Sequence, residues 1–177
     1  MIVLCVLLIL AVAAGSEILV TFGVPDDSKH PIGIYWAGAN DAPRISKLKP
    51  WFGSSDSAEL LVTVLSPGRT QSEQVFSGSS FVIRSADLTS RVRVTFSKNS
   101  AKDRERPYSI SLVNMAVEDR NGPFPLEIQH STGGYVWVDP AEVVEHITGP
   151  NHIFTVRDKA KKPVFSVSIN GDVKADL

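Results

Sequence analysis

Four histidines, His30, His130, His146 and His152, are the most chemically versatile side chains here, because an imidazole changes charge near neutral pH and binds metals through a free ring nitrogen. Their spacing limits what they do. No His-x-His or His-x-x-x-His pattern occurs, so a metal site would need an arrangement made only by the fold, and no metal or other cofactor is expected. Glu142, Glu145 and His146 would share a face in a helix, whereas a strand throws alternate residues to opposite faces. Serines are numerous, yet none stands in Gly-x-Ser-x-Gly. Asp26 and Asp27, between Pro25 and Ser28, have the composition of a turn rather than of an acid-base pair. Gly133-Gly134 is a hairpin signal with nothing after it to cradle phosphate. These readings point away from an enzyme.

The elements that must position these residues read as strands. Twelve short segments rich in Val, Ile, Phe and Thr, bounded by Gly, Pro, Asp or Ser, cover 18–24, 32–36, 59–65, 70–76, 81–84, 91–96, 108–117, 126–129, 135–138, 143–147, 153–157 and 164–169. Hardly any stretch sustains a 3.6-residue apolar period, and the best exception, 141–147, carries the β-branched pair Val143-Val144. The fold class expected is all-β, built as small antiparallel sandwiches. Charge is balanced, eighteen basic residues against nineteen acidic, and interspersed; a nucleic-acid partner would call for a basic field of one sign.

Two of these hairpins match. Phe81 to Phe96 (FVIRSADLTSRVRVTF) and Phe154 to Ile169 (FTVRDKAKKPVFSVSI) share an aromatic start, an Arg at the end of the first strand (Arg84, Arg157) and a closing alternation, at a constant offset of 73 positions. The same offset pairs Pro67 with Pro140. A duplicated unit therefore divides the chain into a first module, 16–99, a charged linker, 100–106, and a second module, 107–177. The first copy carries an extra stretch, 47–57, whose Trp51-Phe52 pair is a candidate exposed partner surface or the cap of a sheet end.

Residues 1–15, MIVLCVLLILAVAAG, form an apolar run of signal-peptide length that ends in small residues, although no Lys or Arg precedes it. Cleavage after Gly15 would remove Cys5, the single cysteine, and release a secreted protein that has no disulfide. There is no Asn-x-Ser/Thr sequon, and after cleavage no membrane association is expected.

In the first copy, Pro31-Ile-Gly-Ile-Tyr-Trp36, Ser66-Pro67-Gly68 and Phe76-Ser-Gly-Ser-Ser-Phe-Val-Ile-Arg84 occur in that order. In the second, His152-Ile-Phe-Thr-Val-Arg-Asp158 closes the unit. This order resembles the β domain of the von Hippel-Lindau tumour suppressor family, in two tandem copies. The resemblance implies capture of an extended, hydroxyproline-containing peptide between aromatic walls, with polar side chains satisfying the buried hydroxyl. Position by position, Ser79 and Phe81 depart from the family's His and Trp in the first copy. The second retains Tyr135, His152 and Phe154, with His146 near the family's Ser, and these four are the implied peptide-binding residues. The expected function is an exported, non-enzymatic module that binds a protein or extended peptide. Two alternatives stay open: a hydrolase with a site between the modules, for which a buried His146-Glu145 or His152-carboxylate pair would speak, and a matrix or carbohydrate-binding module, for which Trp36, Trp51 and Trp137 in a coplanar row would.

Overall fold

A computed structural model of the chain describes residues 17–39, 59–87, 90–99, 105–115 and 125–173. No helix occurs among them; the protein is all-β. Twelve strands follow in chain order: β1 Ile18–Gly23, β2 Ile32–Ala39, β3 Leu60–Leu65, β4 Thr70–Val75, β5 Ser79–Ser85, β6 Arg91–Lys98, β7 Tyr108–Asn114, β8 Leu126–His130, β9 Tyr135–Val138, β10 Val143–Thr148, β11 Ile153–Arg157 and β12 Pro163–Asp172. Each falls on one of the twelve segments expected from composition and bounding residues. The larger differences are that β2 runs on past Trp36 through a bulge at Gly38, where φ is +99°, and that β12 continues through Gly171, where φ is +131°. Glycine tolerates this half of conformational space, and a bulge lets a strand continue beyond its regular pairing.

The strands form two antiparallel sheets of six, ordered β4-β1-β12-β11-β8-β9 and β10-β7-β6-β5-β2-β3. Adding six to each number of β1 to β6, and subtracting six from each of β7 to β12, turns the first order into the second. The duplication is thus written into the topology as an approximate two-fold that exchanges the sheets. Registers agree at the matched positions away from bulges: Phe81 lies opposite Val94 as Phe154 lies opposite Val167, and Trp36 opposite Phe81 as His130 opposite Phe154. Where the first module sets Ile18 against Val75, the second sets Tyr108 against Thr148. Leu65 and Val138, 73 positions apart, pair with Ile32 and Leu126 in the same way.

Each module is therefore a sandwich of two strands over four, β1 and β4 over β6-β5-β2-β3 in the first, β7 and β10 over β12-β11-β8-β9 in the second. The modules lie edge to edge rather than as beads on a string. β1 pairs with β12 in one sheet and β6 with β7 in the other, so both sheets cross the boundary without a break. β6 and β7, the strands on either side of the expected linker, pair as a hairpin, and Asn99 donates to the Pro107 carbonyl at 2.7 Å; residues 100–104 of that linker lie outside the described residues.

Alternation places Ile18, Val20 and Phe22 of β1 inward with Val92, Val94 and Phe96 of β6 facing them, all essentially without exposed surface. Phe22 meets Phe81 at 5.2 Å and Phe96 at 5.9 Å in edge-to-face contacts. Burying each such side chain contributes about 1.5–3 kcal/mol, which a chain without disulfides needs. One cluster of buried residues runs through both modules, from Ile18 to Ile169. At the boundary, Tyr108 donates to Asp172 Oδ1 at 2.9 Å and Lys98 Nζ lies 2.7 Å from the same oxygen, tying β6 and β7 to the end of β12.

Candidate functional site

Among the described residues, two strands of the second module cover four, which leaves one end of its sandwich open. There β9 is the outermost strand of its sheet and, among the described residues, pairs only with β8. Three imidazoles gather in this gap. His130 ends the inward row Leu126, Ile128, His130 of β8. His146 is on β10 opposite Ile110, which faces the core. His152 immediately precedes β11, in which Phe154 is fully buried.

The rings pack on one another and on that phenylalanine. His130 lies 4.7 Å from Phe154, 4.9 Å edge-on from His152, and 6.5 Å from a nearly parallel His146; His146 in turn lies 5.3 Å from Phe154. His130 Nδ1 accepts the Thr132 backbone N–H at 3.3 Å and is bonded to the Thr132 hydroxyl, which marks it as the unprotonated nitrogen of a neutral ring. His152 Nδ1 is bonded to Thr148 Oγ1 at 3.0 Å. His146 Nε2 is different: it is buried and has no hydrogen-bond partner. Burial pushes the His130 pKa below its ordinary 6.5, with charges on His152 and His146 adding to the effect, and burial alone lowers that of His146.

A half-open pocket of about 360 Å³ occupies the gap, lined by Ile128, His130, Tyr135, Val136, His146 and Ile147 with the Gly133-Gly134 turn at its rim. Of the residues singled out from sequence, Tyr135 and His146 line it. Phe154 is a floor beneath the imidazoles rather than a wall, and His152 stands behind His130, engaged with Thr148. Tyr135 is 65% exposed, with Lys161 Nζ 5.9 Å from its ring centre. Trp51 and Phe52 lie outside the described residues.

His130 is the site residue that sequence reasoning missed. The duplication held the signal, since Leu126-Glu-Ile-Gln-His130 runs parallel to Ile32-Gly-Ile-Tyr-Trp36, and His130 takes the place of Trp36 opposite the matched phenylalanine. In the first module the equivalents of His130, His146 and His152 are Trp36, Glu73 and Ser79. The imidazole pocket belongs to the second module only. Glu145 and His146 are neighbours on a strand and point to opposite faces, so they form no catalytic pair. Among the described residues no three His, Cys, Asp or Glu side chains are placed to hold a metal ion. Trp36 packs against the core from one sheet while Trp137 is on β9 of the other, so these two form no coplanar row.

Comparison with protein-family models, with characterised proteins and with solved structures finds no match. Fold and site together define a class: a two-module antiparallel β-sandwich whose second module carries an imidazole-lined pocket beside the outermost described strand of one sheet.

Proposed function

We propose that the protein is an exported, non-enzymatic binding module that holds an extended segment of a protein, containing hydroxyproline, along the open end of its second module. The observation that carries this reading is the buried, unpartnered Nε2 of His146 beside the pocket of Tyr135 and His130. An unpaired buried nitrogen costs about 1–3 kcal/mol, a cost that a ligand hydroxyl entering the pocket would remove. The Tyr135 ring supplies an apolar wall for a pyrrolidine. The outer edge of β9, unpaired among the described residues and next to the pocket, offers main-chain groups to an extended chain. Of the polar groups implied by the family resemblance, His146 is the better hydroxyl partner, because His152 is engaged by Thr148.

The test is calorimetric titration with two extended peptides that differ only in proline or hydroxyproline. The hydroxylated peptide is expected to bind about 1 kcal/mol more tightly, roughly fivefold, and His146→Ala to abolish the difference. Equal affinity for both peptides overturns the reading. Export is tested separately by amino-terminal sequencing of secreted protein, which should begin at Ser16.

A further inference from the structure

A second cavity, of about 160 Å³, lies at the boundary of the two modules, at the opposite end of β11 from the imidazoles. Its walls come from duplicated turns: the β5–β6 turn contributes Ser85 and Ser90, and the β11–β12 turn, 73 positions later in sequence, contributes Asp158 and Lys162. The connection from β1 to β2 adds Ser28 and Lys29. Ser28 Oγ donates to the Pro163 carbonyl at 2.9 Å, which fastens the first module to the second across this cavity. Neither module has the cavity alone; it exists because the two copies share their sheets.

Its polar groups are not all satisfied. Ser90 is 2% exposed and its hydroxyl is buried without a partner, although its backbone N–H and carbonyl are both bonded to Ser85. A buried hydroxyl with no protein partner in the wall of a cavity is an open donor. The charges at the rim lean positive. Asp158 Oδ1 already accepts the backbone N–H groups of Ala160 at 2.8 Å and Lys162 at 2.9 Å, and Asp87 faces His30 at 3.5 Å. Lys29 and Lys162, both exposed, line the same cavity, and neither forms an ion pair among the described residues. Two cations with no ion pair among the described residues and a buried hydroxyl donor around a space of this size are the complement of a compact group bearing negative oxygens.

We propose that the module boundary binds a small oxyanion, a phosphate or a carboxylate group, with Ser90 Oγ as the buried donor and Lys29 and Lys162 as the neutralising charges. The site is separate from the imidazole pocket and does not depend on the peptide-binding reading.

The experiment is amide-resolved NMR titration of the intact protein with sodium phosphate and, in a second series, sodium acetate, each against sodium chloride at matched ionic strength. Saturable shifts at the amides of Ser28, Ser85 and Ser90 are expected from at least one of the two oxyanions, and the comparison of the series shows which is preferred. Ser90→Ala and Lys162→Ala should each weaken that binding at least fivefold. Ser90→Ala keeps the backbone bonds to Ser85, and an unchanged spectrum away from the cavity verifies its fold. Shifts no larger than those with chloride, or either variant binding as tightly as the unaltered protein, overturns the proposal.

Discussion

At the scale of single residues, His130 and His146 make the protein sensitive to mild acid. Both His130 and His146 have pKa values below the 6.5 of the unfolded chain, chiefly through burial. The unfolded state therefore takes up protons first as pH falls. The stability these groups contribute is fully present above pH 6.5 and is lost as pH drops below that value and through their lowered folded pKa values. Urea unfolding midpoints are expected to decline between pH 7.5 and 5.5, before most carboxylates titrate. His146→Leu should flatten that decline. A midpoint independent of pH over this interval in the unaltered protein would show that the rings are better solvated than their packing on Phe154 implies.

Among the elements, β11 bears most on the site. Its sequence, Ile153-Phe-Thr-Val-Arg157, alternates, so Phe154 and Val156 face the core while Thr155 and Arg157 face out. Phe154 is fully buried and touches both His130 and His146, which makes one side chain answer for core packing and for the position of the pocket floor. Phe154→Ala is expected to cost about 3–5 kcal/mol, read from denaturant unfolding, because β11 is held between β12 and β8 and its surroundings cannot close over the space left. Phe154→Leu, which keeps most of the volume, should lose less. A loss under 1 kcal/mol for the alanine variant would mean that the open end of the sandwich collapses freely, and would remove Phe154 as the support of the imidazoles.

For the whole molecule, continuity decides stability. Two small modules joined by a flexible linker would unfold separately, but here the β1–β12 and β6–β7 pairs carry both sheets across the boundary, and one buried cluster spans it. Tyr108, whose pKa is pushed up to about 12 by burial and by its bond to Asp172, fastens the same seam. Burial alone would raise the Asp172 carboxyl; its bonds from Lys98 and Tyr108 outweigh that and hold it below its usual value. Scanning calorimetry should therefore give a single transition with calorimetric and van't Hoff enthalpies in agreement. Two resolved transitions would mean that the seam is weaker than either module.

Much of this was legible in the chain. Short runs rich in Val, Ile, Phe and Thr between turn residues mark the strands, several of them with the two-residue alternation of a half-buried strand, and the offset of 73 between Phe81 and Phe154 exposes the duplication. The pairing of Arg84 with Arg157 and of Pro67 with Pro140 follows from the same repeat. What alternation does not carry is which strand lies beside which across a long separation. Nothing local in β1 says that it pairs with β12, because a strand edge accepts any partner of suitable face, and the choice is made by burial summed over both sheets. The joining of the modules, the convergence of His130 from β8 with His146 from β10, and the cavity built from the two matched turns are all consequences of that choice. They belong to the tertiary structure because they bring together residues whose spacing in sequence has no period to betray it.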